Sequence, residues 1–231
     1  MDRKMVSNSL RTTVIGSSDG KNTYEIIREL QDDAIKQGEK VIVIQLYPTI
    51  GVNDAVTIDT TTHHLYNKLK ELGWSKVHMV NLFSIVSKSK LHVRELETDD
   101  EENVEYIQQL FSTMAKEVKT VISWGNSFST NKNVAKRKKE IIDSFVKMCP
   151  RKKLYQITSD RAESETDSCN GMHILYLGLR YQNEVWKVEA YPIKEELLKL
   201  KNVLGKTNGS ETKKTRGGGK GVEDNVCQDC E

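Results

Sequence analysis

No apolar stretch of this chain approaches the ~20 residues needed to cross a bilayer as a helix. Met1 to Leu10 also lacks the apolar middle of a secretory signal. The expectation is a cytoplasmic protein with no membrane partner. Cysteine is sparse: Cys149, Cys169, Cys227 and Cys230 are irregularly placed, unlike a secreted disulfide framework, so reduced thiols are expected. There is no Gly-rich phosphate loop of the dinucleotide or Walker type, no Gly-x-Ser-x-Gly nucleophile elbow and no His-Glu-x-x-His helix. Those absences argue against a dehydrogenase, an NTPase, a hydrolase and a metalloprotease. No internal repeat is visible.

What remains is a polar chain that can still build a core. Its 231 residues are 37% hydrophobic and 29% charged, with a mean hydropathy of -0.57, a balance typical of soluble globular proteins. The net charge of +2 neither demands nor excludes a nucleic-acid partner, because local clustering matters more than the sum.

Apolar runs alternate with amphipathic stretches. Thr12 to Ile15 reads as a strand before the turn Ser17-Ser18-Asp19-Gly20, while Tyr24 to Gln37 fits a helix or a strand leading into one. Val41 to Ile44 is β-branched and continuous, as a strand covered on both faces should be. Asp59-Thr60 caps a helix carrying Leu65, Leu69 and Leu72, stopped by Gly73. Val77 to Phe83 returns to strand, and Asp99 to Glu102 opens a second helix with Val104, Ile107, Leu110, Phe111 and Met114 on one face. A strand over Thr120 to Trp124, a basic helix over Val134 to Met148 and a strand over Leu154 to Thr158 follow. Met172 to Leu179 and Val185 to Tyr191 read as two more strands, the second at an edge, and Ile193 to Leu204 as a final helix. This order predicts one α/β domain over residues 1–205, a three-layer sandwich with a mostly parallel central sheet and helices on both faces. Residues 206–231 have almost no apolar content and are expected to be a disordered tail.

Polar residues interrupt three of the apolar runs: Tyr47-Pro48-Thr49, Asn81 and Trp124-Gly125-Asn126. They fall at the carboxyl ends of predicted strands, where ligands of open α/β sheets bind. Each also has a structural reading. Pro48 can start a turn, Asn81 can serve loop backbone, Asp54 and Thr57 can cap the following helix, and Trp124 can be core with Gly125 permitting a turn. His63-His64 sits early in a helix, where neighbours point about 100° apart and cannot share a metal as an i, i+4 pair can. His78 and His92 have no companion at ligand spacing, and Cys227-x-x-Cys230 is half a zinc site without a second pair. Neither a metal nor a cofactor is expected. The basic run Lys132, Lys136 to Lys139, with Arg151 to Lys153 close behind, is a solvated face or a phosphate-attracting rim.

Leu46-Tyr47-Pro48-Thr49, Asn53-Asp54-Ala55-Val56-Thr57, Leu72-Gly73-Trp74, Val80 to Ser84, Ile122 to Asn126 and His173 to Leu177 together resemble the bacterial domain-of-unknown-function family 1643, over roughly residues 40–191. Many members of that family carry Asn-Pro-Ser where this chain has Tyr47-Pro48-Thr49. The block order is also similar, remotely, to the uracil-DNA glycosylase superfamily. That likeness implies a glycosylase-like fold with a site built from the loop Tyr47 to Asp54, Asn81, Trp124 to Asn126 and His173. In it Asp54 would orient a water and His173 would stabilise charge on a carbonyl oxygen, while Tyr47, Pro48, Thr49, Asn53, Thr57, Asn81, Trp124, Gly125 and Asn126 would contact the ligand. The strict pattern is incomplete, since no His-Pro-Ser follows the late strand. The expectation is a protein that handles a nucleobase, nucleotide or nucleic acid, as an enzyme or as a non-catalytic binding protein.

Overall fold

The computed structural model describes residues 9–31, 38–89, 91–92, 95–96, 100–165 and 171–205. The expected disordered tail and the Cys227 and Cys230 pair therefore lie outside the described residues, as does Cys169.

The first two strands, β1 (Ser9–Gly16) and β2 (Thr23–Gln31), form an antiparallel hairpin. They are followed by β3 (Glu39–Gln45), a single 3-10 turn (Val52–Asp54), α1 (Thr60–Leu72) and β4 (Trp74–Asn81). Next come α2 (Glu101–Thr113), β5 (Lys119–Ile122), α3 (Lys132–Met148), β6 (Leu154–Thr158) and α4 (Asp160–Glu165). The described chain closes with α5 (Ile174–Arg180), β7 (Lys187–Ala190) and α6 (Ile193–Gly205).

Among the described residues the seven strands make one sheet in the order β1-β2-β4-β3-β5-β6-β7. The central strands β4, β3, β5 and β6 run parallel. β2 is antiparallel to β4, and β7 is antiparallel to β6. The expectation of a mostly parallel sheet is thus corrected to a mixed one. The cause lies at the sheet's two ends, where the β1–β2 hairpin and β7 pair antiparallel; in β2, Thr23-Tyr24-Glu25-Ile26-Ile27-Arg28 places Glu25 and Arg28 at buried positions. Of the two readings left open for Tyr24 to Gln37, the strand holds over Thr23–Gln31, with polar partners on both faces. His78 Nδ1 lies 2.7 Å from Glu25 Oε1, Tyr106 donates to Glu25 Oε2 at 2.7 Å, and Arg28 donates to Thr12 Oγ1 at 2.5 Å.

The sheet is covered on both faces. Ile42, Ile44, Val80 and Ile122 pack with Ile107 and Phe111 of α2, Ile141 and Phe145 of α3 and Leu200 of α6. Val41, Val43, Val77, Met79 and Val121 point the other way and pack with Leu65 and Leu69 of α1 and with Ile174 and Leu177 of α5. Each such side chain contributes roughly 1.5–3 kcal/mol when fully buried, so the central strands are the most stable part of the sheet.

The second correction concerns Met172 to Leu179, expected as a strand and observed as the helix α5 from Ile174. Ile174, Leu177 and Gly178 are its buried positions, three and four apart, and the His173 side chain accepts from the Leu175 N–H at 3.2 Å to cap it. Gly178 is where α5 meets α1, since a Cβ there would lie 2.0 Å from His64 Cγ. Tertiary contact overrides the strand preference of Ile174-Leu175-Tyr176-Leu177. No described helix is long and apolar enough to cross a membrane.

Candidate functional site

The turn after β3 leads to α1 on one face, and the turn after β5 leads to α3 on the other. Adjacent parallel strands whose connections part in this way leave a crevice beyond their carboxyl ends. Tyr47-Pro48-Thr49 follows β3 and Trp124-Gly125-Asn126 follows β5 at this edge of the sheet.

On the β5 side, the chain after Ile122 is held against the segment before α5. Ser123 Oγ donates to the Met172 carbonyl at 2.9 Å and accepts the Ile174 N–H at 3.0 Å. Gly125 N–H donates to the Gly171 carbonyl at 2.8 Å. Gly125 has φ +67, and a Cβ there would stand 3.1 Å from His173 Cβ, so this turn lies directly against the histidine. The Lys138 ammonium donates to the Gly125 carbonyl at 3.0 Å and sits 5.2 Å above the Trp124 ring. Trp124 itself is fully buried, edge-on to Tyr191, so it supports the turn from beneath. Asn126 is exposed.

On the β3 side, Pro48 is buried and its carbonyl accepts the Ser87 N–H at 3.0 Å. Tyr47 is half-buried against the α2–α3 side of the core, and burial pushes its hydroxyl pKa up. Thr49 donates to Asp59 Oδ2, and Asp59 Oδ1 accepts the Thr62 N–H at 2.8 Å. Asp59 is therefore the helix cap that its sequence context indicates. It does more, because its charge acts on both Arg28 and His173. Arg28, 2% exposed, donates to the Thr57 carbonyl at 3.0 Å and ties the exposed Thr57 loop down.

His173 thus lies against the Gly125 turn and feels the charge of the Asp59 carboxylate. Burial lowers its pKa to about 4, against the opposing pull of Asp59. The ring is neutral at pH 7. Since Nδ1 accepts from the Leu175 N–H, the proton of the neutral ring resides on Nε2, which is a donor.

Asn53 and Asp54 lie elsewhere. With Gly20, Lys21, Gly51, Ile85, Val86 and Lys88 they line an open cleft of about 420 Å³ between the β1–β2 turn and the chain after β4. That volume is within the roughly 300–1,000 Å³ of small-molecule sites. Asp54 is 3.2 Å from Lys88 Nζ. The segment from Tyr47 to Asp59 borders both the cleft and the crevice.

Asn81 ends β4 beside the crevice and is 1% exposed; its carbonyl accepts from Asn103 Nδ2 at 2.9 Å, while its Oδ1 has no partner among the described residues. His64 is packed against α5 and its pKa is lowered, chiefly by burial. The basic residues separate: Lys132 and Lys136 are exposed in the first turns of α3, whereas Arg151 to Lys153 lie beyond its other end, roughly 25 Å away at 1.5 Å per residue.

The model of a family described as "Protein of unknown function (DUF1643)" matches residues 24–165. The chain belongs to that family. The match covers β2 to α4 and so includes Tyr47 to Asp59, Asn81 and Trp124 to Asn126, while His173 lies beyond it. A comparison with curated proteins finds no match.

Arg28, Ser123 and Gln45 were not singled out by sequence reasoning, and Asp59 was read only as a helix cap. A usable signal existed only for Gln45, a polar residue within an apolar strand run, as Asn81 is. The link of Asp59 and Arg28 to His173 has none, because it joins distant segments.

Proposed function

We propose that the crevice beyond β3 and β5 holds a nucleobase, as a free base, within a nucleotide or at the end of a nucleic-acid strand, and that the chain processes or senses that ligand. The state of His173 carries the reading. A neutral imidazole with Nε2–H directed by its capping bond is a donor suited to a carbonyl oxygen, including one on which negative charge develops. Asn81 adds a buried carboxamide, Thr49 and Asp59 an oriented hydroxyl and carboxylate, and the resemblance in block order to the uracil-DNA glycosylase superfamily points the same way.

If the chain is an enzyme, Asp54 is the carboxylate to orient a water. Its exposed pair with Lys88 contributes only ~0–1 kcal/mol and is readily given up. Asp59 has both oxygens engaged by Thr49 and the Thr62 N–H and serves to position. The non-catalytic reading is favoured by one observation, the place of Asp54 in the cleft with Lys88 rather than beside His173.

The test is a thermal-shift series with uracil, adenine, UMP, AMP and a single-stranded oligonucleotide, with chromatography for released base. Binding at about 100 Kd raises stability by ~2.7 kcal/mol. Stabilisation by a base-bearing ligand that is lost in His173→Ala supports the crevice. Base release abolished by Asp54→Asn with binding retained supports hydrolysis, and binding without release supports the sensor. Unchanged melting with every probe overturns both.

A further inference from the structure

We infer that Gln45 and Asn81 act together as an edge-reading pair where β3 and β4 end beside the crevice, taking a planar ligand that presents a hydrogen-bond acceptor beside a donor, such as the amide or amidine edge of a nucleobase. This rests on the reading of the crevice given above and adds to it a residue and a ligand edge.

β3 and β4 are parallel neighbours, and their register sets Gln45 directly beside Asn81. Both are the last residues of their strands. Strand alternation carries both side chains to the face that holds Val41, Val43, Val77 and Met79, where α1 and α5 pack. His173 and Asp59 cap those two helices on the same face. Neighbouring strands lie about 4.8 Å apart, close enough for two side chains to address one small ring.

Gln45 is 6% exposed and Asn81 1%, yet Gln45 Nε2 and Asn81 Oδ1 have no hydrogen-bond partner among the described residues. Unpaired buried polar atoms are uncommon in folded proteins because each forfeits its hydration without recompense. Here two occur side by side, one donor and one acceptor, where the preceding residues of both strands are mostly Val, Ile and Met. Apolar side chains at these positions would pack without that loss. A donor next to an acceptor is complementary to an acceptor next to a donor, and a nucleobase edge supplies that pattern. Either carboxamide can turn by 180° to present its other atom, so the pair reads such an edge in both orders. It recognises the ring and not a phosphate or a sugar.

The experiment uses the full chain, isotopically labelled so that the carboxamide NH₂ signals of Gln45 and Asn81 are resolved by NMR. Uracil and adenine are titrated in, with ribose 5-phosphate and inorganic phosphate as ligands lacking the edge. The expected result is movement of both NH₂ signals with a base and not with the phosphates. Gln45→Met then weakens base binding at least tenfold while melting at or above the wild-type temperature, because it removes an unpaired buried donor.

Base binding that leaves the Gln45 signals still and survives Gln45→Met overturns the inference, and an enclosed water only is then what the two amides hold. A melting temperature lowered by several degrees in Gln45→Met with affinity unchanged overturns it too, making Gln45 structural. Binding lost in His173→Ala but kept in Gln45→Met removes this inference and leaves the crevice reading standing. The absence of base binding to the wild-type chain removes both.

Discussion

Gly125 and His173 are in direct contact: a Cβ on Gly125 would lie 3.1 Å from the histidine Cβ, and the Gly125 backbone is in the left-handed region at φ +67. A side chain at residue 125 would therefore strain the backbone and crowd the cap of α5. Gly125→Ala is expected to lower the unfolding free energy by about 1–3 kcal/mol, the usual cost of a side chain at such a φ. Urea unfolding measures it, and an unchanged midpoint would show that the turn relaxes freely.

His173 should also shape the acid limb of the stability curve. Its pKa is about 4 in the folded chain against the ordinary value of 6.5. As pH falls the unfolded chain takes up this proton first, so the contribution of His173 is complete above pH 6.5 and is lost progressively toward pH 4. A shift of this size corresponds to roughly 3 kcal/mol at most. His173→Asn retains a capping acceptor but cannot titrate, and should flatten the fall in stability between pH 6.5 and 4. An acid limb identical to wild type sinks this expectation. His64, lowered in the same direction, leaves a residual slope.

The α1–α5 contact is testable by a double-mutant cycle. A Cβ on Gly178 would meet the His64 ring within 2.4 Å. Gly178→Ala is expected to destabilise by about 1–3 kcal/mol through overpacking. In a His64→Ala background the same change should cost much less, and strict additivity would rule out the contact as the cause.

The buried Tyr106–Glu25–His78 network gives a fourth stability test. Glu25, 3% exposed, holds His78 Nδ1 and the Tyr106 hydroxyl, each at 2.7 Å. Glu25→Ala strips both partners and is expected to cost about 3–5 kcal/mol. Tyr106→Phe removes a single bond to a charged group, for about 1.5–3 kcal/mol. Equal losses in chemical denaturation would contradict this ranking.

Much of this fold can be read from the residues. Val41 to Ile44 of β3 is a continuous apolar run because helices cover both faces of that strand, and α1 announces itself through Asp59, its leucine spacing and Gly73. β2 and α5 were harder for opposite reasons. β2 carries Glu25 and Arg28, whose partners lie on other elements, whereas α5 is only seven residues of strand-favouring sequence turned helical by its cap and by α1.

By itself the sequence determined the central strands β3 to β6 and the helices α1, α2 and α3 between them, since local patterning reflects burial along one segment at a time. Only the tertiary structure decided that the sheet is mixed, that Asp54 joins Lys88 in a separate cleft, and that Asp59 rather than Asp54 acts on His173. Strand direction, desolvation and charge coupling depend on groups distant in the chain, and those neighbours exist only once the chain has folded.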